Sequence, residues 1–184
     1  LWQVSGIDTA LIAIESGATT GLYFVTHGAA GHEFSYRRAN SAAARMRLND
    51  VQRQALQQTQ WLHYSGISQA ISDTAREQCA AAVRIARAAG AKISFDSNLR
   101  LKLWSLDDAK LHMIPAIANC DLFLPSLDDV VQLSGLSDPQ AIVRWSHDLG
   151  ARQVVLKMGE LGVLVSDGTQ QHRIAPIRVK AVDA

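Results

Sequence analysis

From residue 61 to residue 165 the chain alternates short apolar runs with longer stretches that carry helix start and stop signals, a pattern few folds accept. The runs cover residues 61–65, 91–95, 122–124, 153–157 and 163–165. Helices are predicted between them from Ser72 or Asp73 to Gly90, over 106–119, over 126–133 and over 139–149. In the first of these, Thr74 and Glu77 offer a capping-box pair, the body AREQCAAAVRIARAA is rich in alanine, and Gly90 supplies the stop. Pro115 sits awkwardly inside the second, where a proline kinks or shortens a helix. Asn49 is placed to cap a further helix over 50–57. The alternation predicts a parallel, helix-covered sheet, and ligands of such sheets lie at the carboxyl ends of the strands. Four loops then qualify as site segments: Ser65-Gly66, 96–100, 125–129 and 158–162.

The first forty residues read as β. Runs at 10–15, 21–26 (GLYFVT) and 33–38 (EFSYRR) are predicted strands, the last two separated by a glycine turn at 28–31. Along EFSYRR, Phe34, Tyr36 and Arg38 share one face, because strand side chains alternate. A phenol beside a guanidinium suits an anionic carbon-skeleton ligand, with a two-pronged bond to its carboxylate. An exposed strand with snorkelling arginines accounts for the same alternation.

Two further motifs fall on the candidate loops. FDSNLR, residues 95–100, ends a strand on an acid, an amide and a guanidinium, groups that are costly to bury unpaired and so face either water or a ligand. Asp96 or Asn98 capping a helix, with Arg100 on a solvated turn, is the plainer account. In VVLKMGELGVLV, two glycines flank a tight turn preceded by Lys157. Such a turn lets backbone amides approach a phosphate, and the lysine adds a point charge. It is not a Walker loop, and a β-hairpin turn explains the spacing as well.

Composition bounds the rest. With 184 residues, 48% hydrophobic and 19% charged, the chain suits one globular domain. A net charge of +1, with no basic block longer than Arg37-Arg38, predicts no nucleic-acid partner. No apolar run approaches the ~20 residues of a membrane helix, and no signal-peptide pattern follows Leu1. Cys79 and Cys120 are expected as buried thiols in a reduced, cytoplasmic setting. The six histidines show no metal-ligand spacing, GxSxG is absent, and the lack of GxGxxG after any strand argues against a dinucleotide-dependent oxidoreductase. Both ends read as interrupted elements, so a piece of a longer protein is expected.

Taken in order, GIDT, TGLYFV, YRRANSAA, LHYSGIS, FDSNLRLKLW, DLFLPSLDDVVQLSG and VVLKMGELGVLV, closing on VDA, span nearly the whole chain. Together they resemble the ribokinase-like (pfkB) carbohydrate kinases, and within them the 2-keto-3-deoxygluconate kinases. The resemblance implies a three-layer α/β fold with a mostly parallel, helix-covered sheet and a small β lid. It implies one kinase domain over 1–184, with lid strands in about 10–38 and the core over 49–184, truncated at both ends. The implied activity is ATP-dependent phosphorylation of the terminal hydroxyl of a keto-deoxy sugar acid, with Mg2+.

By position, Tyr23, Tyr36, Arg38 and Arg100 would bind the sugar acid. Asn98, Leu99, Arg100, Ser126, Lys157, Gly159, Glu160, Leu161 and Gly162 would line the ATP site. Ser126 and Asp129 occupy the places of the Asn and Glu in the family's N-x-x-E pattern, which organises magnesium; serine is a departure there, and Asp129 is the metal candidate. The family's Gly-Ala-Gly-Asp motif, whose Asp is the catalytic base, is expected just past VDA, beyond Ala184. No catalytic residue is therefore assigned within 1–184, and this piece is expected to be inactive alone. The family's lid covers the sugar and commonly joins a homodimer. A fructokinase or other pfkB sugar kinase is the nearest rival, and Arg38 discriminates, since a neutral sugar gives it no carboxylate. A non-catalytic sugar- or nucleotide-binding fragment is the rival of another class.

Overall fold

The computed structural model describes residues 2–28 and 31–179, and of residues 31 and 32 the backbone alone. The turn expected at 28–31 lies partly outside the described residues. The closing Val182-Asp183-Ala184 lies wholly outside them, so the expectation of a catalytic Asp beyond Ala184 meets no described residue. Two sheets form. β1 (Leu22–Gly28) and β2 (Gly31–Arg37) make an antiparallel two-stranded sheet in which Tyr23 faces Tyr36. The other sheet has six strands in chain order: β3 (Trp61–Ser65), β4 (Lys92–Asp96), β5 (Leu122–Phe123), β6 (Gln153–Lys157), β7 (Val163–Ser166) and β8 (Gln171–Ile174). β3 to β6 are parallel, and β7 and β8 return antiparallel.

The helices are α1 (Asp50–Leu56), α2 (Gly66–Ala70), α3 (Asp73–Ala88), α4 (Leu106–Ala118), α5 (Leu127–Ser134) and α6 (Pro139–Leu149). Parallel strands laid side by side in chain order, with right-handed crossovers, carry their helices on one face. The core follows from that. Ile93, Phe95, Phe123, Val154 and Leu156, alternate residues of three strands, are fully buried with Met113 and Ile117 of α4, Val130 of α5 and Ile142 and Val143 of α6. Phe95 anchors it, with ring centroids 4.8 Å from Tyr64 and 6.0 Å from Phe123. The opposite face is sparser: His63 Nδ1 meets Ser94 Oγ at 3.0 Å, and Leu122, Val155 and Val165 are half-buried.

Local signals place most helix starts. Asn49 closes a full capping box with Gln52, and Ser105, Ser126 and Asp138 cap α4, α5 and α6 through side-chain acceptors. The Thr74/Glu77 pair does not cap α3. Ser72 does, its Oγ accepting from Ala75 N at 3.0 Å, because the cap residue must leave helical geometry and Ser72 is the extended one, at φ −172°. Pro115 neither ends nor shortens α4; it lies on the exposed side, where water can reach the carbonyl that its missing N–H leaves unpaired.

The predicted strand at 10–15 is not a strand. Leu11, Ile12 and Ile14 are 46%, 45% and 94% exposed, and the segment is held instead by Gln52 Nε2 donating to Leu11 O (2.8 Å) and by a Glu15–Arg45 ion pair (3.3 Å). An apolar run alone gives no strand without a ladder partner. β8 and the short α2 carry no sequence period, and both escape prediction. Cys79 and Cys120 are buried and free, and burial pushes their thiols up to about 11 and about 12.

Candidate active site

The carboxyl ends of β3 to β6 gather polar side chains from distant parts of the chain. β4 ends on Asp96, whose Oδ1 pairs with Lys157 Nζ at the end of β6, 3.0 Å away. The pair spans the end of β5, where Lys157 N donates to Pro125 O (2.8 Å). Asp96 is therefore neither a helix cap nor a free loop acid; it fixes the lysine.

The next three residues turn sharply. Ser97 is fully buried and donates from Oγ to Asp129 Oδ2 (2.7 Å), and Leu99 N donates to the same oxygen (3.1 Å). Between them Asn98 adopts φ +36°, in the left-handed region that asparagine tolerates better than most residues. Arg100 is exposed and folds back, its Nη1 donating to Leu99 O at 2.8 Å. Gly66 completes the fit, since a Cβ there would overlap the carbonyl oxygen of Ser97 and the methyl of Met113. Gly66→Ala is expected to lose about 1–3 kcal/mol of stability by overpacking. Urea unfolding tests this, and an unchanged midpoint would show that the loop has slack.

In the hairpin, Tyr23, Tyr36 and Phe34 lie on one face, with Tyr23 and Phe34 ring centroids 6.3 Å apart. The Arg38 guanidinium carbon sits 5.4 Å from the Tyr36 ring centroid, and Arg38 Nε is buried without a hydrogen-bond partner. Lys102 ties the hairpin to the chain just after Arg100: its Nζ donates to Phe34 O (2.7 Å) and faces Glu33 (3.6 Å). The segments that bear Arg38 and Arg100 are thus joined through a residue that no local pattern marks.

The glycine turn is a short 3-10 helix, Gly159–Leu161, linking β6 to β7, with Met158 N donating to Gly162 O (2.8 Å). Its two glycines differ. Gly162, at φ +83°, has its Cβ position blocked by Ile174 O of β8, whereas Gly159, at φ +56°, has open space there. Only Gly159 leaves room for an incoming group. Glu160 and Leu161 are exposed, and Leu161 lines a cleft of about 440 Å³ together with Met158, Leu164, Asp138, Gln140 and Arg173.

Among the described residues no all-protein magnesium cage forms. Asp129 is 8% exposed with one oxygen already shared by two donors, and among the described residues no three His, Cys, Asp or Glu side chains gather to hold an ion. Ser126, the other half of that motif, spends its hydroxyl on the α5 cap, accepting from Asp129 N at 3.3 Å.

Comparison with known proteins fits this geometry. The 2-dehydro-3-deoxygluconokinase of Dickeya dadantii (strain 3937) is 34% identical over 171 residues, 90% of this chain and 55% of that protein. Probable fructokinase-7 of Arabidopsis thaliana is 28% identical over 186 residues, 98% of this chain and 54% of that one. Among solved structures, a PfkB protein from Polaromonas sp. JS666 matches with a TM-score of 0.86 at 29% identity, covering 96% of this chain and 60% of that one. Aminoimidazole riboside kinase from Salmonella enterica, complexed with aminoimidazole riboside and an ATP analog, matches with a TM-score of 0.82 at 25% identity, covering 99% and 59%. The chain spans about half the length of the curated relatives it matches. A family model described as pfkB family carbohydrate kinase matches residues 1–184, and the chain belongs to that family.

Proposed function

We propose that residues 1–184 are part of a kinase that transfers a phosphoryl group from ATP to the terminal hydroxyl of 2-keto-3-deoxygluconate. One observation carries the choice of an acid over a neutral sugar. Arg38 presents a buried, unpartnered Nε beside the Tyr36 ring, in a hairpin tethered by Lys102 to the segment that bears Arg100. A guanidinium nitrogen left without a partner calls for an acceptor, and a carboxylate fits the guanidinium fork.

In this reading Tyr23, Tyr36, Arg38 and Arg100 hold the sugar acid, and the hairpin is the lid over a core of residues 49–184. Asn98, Leu99, Arg100, Ser126, Lys157 and the 159–162 turn face the nucleotide, whose base would take the mixed polar and apolar cleft beside Leu161. Phosphoryl transfer is mostly positioning and charge stabilisation, so the cations Lys157 and Arg100 matter more than any covalent chemistry. The catalytic base is proposed to follow Ala184 in the whole protein. Magnesium is proposed as the counter-ion of ATP. The other face of the hairpin exposes Leu22 and Phe24, and a second copy of the chain is proposed to cover it.

The second reading, a fructokinase, is supported by the 28% identity to the Arabidopsis protein. Calorimetric titration of the chain with 2-keto-3-deoxygluconate, fructose and ATP separates the two. The acid and ATP are expected to bind, with fructose at least about tenfold weaker than the acid for want of the charged contact. Fructose binding as tightly as the acid would favour the second reading.

A further inference from the structure

Resting on the kinase reading above, we propose that Asp129 is a positioning residue that holds the 97–99 turn, and through it Asn98 and Arg100, rather than a ligand of magnesium. Asp129 is the third residue of α5, where an acid ordinarily reaches back to the N–H of the cap residue. Here Ser126 Oγ accepts from Asp129 N, but the carboxylate turns away from the helix end and into the neighbouring loop. Its Oδ2 accepts from both Ser97 Oγ and Leu99 N. Both groups are out of water: Ser97 is fully buried and Asp129 is 8% exposed.

The residue between the two donors, Asn98, is the one held at φ +36°. A strained backbone of this kind persists only where its surroundings over-determine it, and two charge-assisted hydrogen bonds to one carboxylate do that. Gly66 presses on the same turn from the other side, at Ser97 O. The constraint reaches the binding side chains in one step: Arg100 Nη1 donates to Leu99 O, so the guanidinium is registered on the residue that Asp129 grips. A magnesium ion demands near-octahedral geometry and would have to displace one or both of these bonds to use the same oxygen.

The test is made on Asp129→Asn and Ser97→Ala, with hydrogen exchange at Leu99, sugar-acid and ATP titrations, and the Mg2+ dependence of ATP binding. Exchange at Leu99 should accelerate about tenfold or more in Asp129→Asn, with sugar-acid affinity falling about tenfold. Ser97→Ala, which touches the carboxylate but no ion, should move both in the same direction by about threefold. The half-saturating Mg2+ concentration should stay the same in both variants. A raised Mg2+ requirement in Asp129→Asn with Ser97→Ala silent overturns the proposal in favour of a metal role. So does faster exchange at Leu99 with affinities untouched. If Asp129→Asn does not fold, Ser97→Ala decides alone. A wild-type chain that binds neither ligand sinks the kinase reading instead, and the exchange rates then still report whether Asp129 grips the turn.

Discussion

Asp121→Ala should lower the stability of this chain by about 3 kcal/mol. Asp121 is 6% exposed and stands at the head of β5, where its Oδ2 accepts from Arg87 Nη1 (2.7 Å) and from Ile93 N (2.8 Å). The second bond explains the size of the effect. The β4–β5 ladder begins at Ser94 and Leu122, so Ile93 N lies one step before the first rung. The Asp121 backbone serves Ile93 O (2.8 Å), and its side chain doubles back to serve Ile93 N. Without the carboxylate, a buried N–H on an interior strand is left unpaired.

The ion pairs add less. Arg87 is 40% exposed and keeps a bond to Asn119 O (2.5 Å), and Arg152, 3.4 Å away, is 78% exposed. Asp121→Asn keeps an acceptor for Ile93 and should lose only about 1–2 kcal/mol. Thermal unfolding of both variants makes the comparison, at roughly 2–4 °C per kcal/mol for a chain of this size. Equal losses in the two would assign the effect to the charge pair instead of the orphaned amide.

On the proposed sugar-acid reading, Arg38→Ala should weaken 2-keto-3-deoxygluconate binding about thirtyfold or more while changing ATP affinity less than about twofold. The guanidinium lies against the Tyr36 ring, 5.4 Å from its centroid, with Nε buried and unpartnered. Truncation removes the fork that a carboxylate would engage. Arg38→Lys keeps the charge but loses the two-pronged geometry, and an intermediate loss is expected. Titration calorimetry on the three proteins gives the ratio. A parallel fall in ATP and sugar-acid affinity would mean that Arg38 supports the hairpin's structure and not the ligand. No loss of either would fit a neutral sugar.

How much of this could be read from the chain varies with the kind of interaction. The hairpin of 21–26 and 33–38 was legible because alternation and aromatic content are local, and the pairing of Tyr23 with Tyr36 follows once the turn closes. The run at 10–15 has the same apolar content and forms no strand, because a ladder needs a partner and none of the described residues offers one. β8 is the converse case: Gln171–Ile174 has little β character, yet pairs with β7 because the turn after Ser166 brings it alongside. Gly162 reads as a ligand-facing glycine, but its need for glycine comes from the carbonyl of Ile174 on that unpredicted strand.

The site divides in the same way. That an acid, an amide and a guanidinium would end a strand in FDSNLR was plain from the order of residues, as was the lysine before the glycine turn. Their partners were not. Asp96 finds Lys157 across 61 residues, Ser97 finds Asp129 across 32, and Lys102 reaches Phe34 across 68. Caps, turns and strand periods depend on a few neighbouring residues and are fixed before the chain folds. Which carboxylate meets which donor depends on strand order and on register to within one residue, and those exist only once the sheet is assembled.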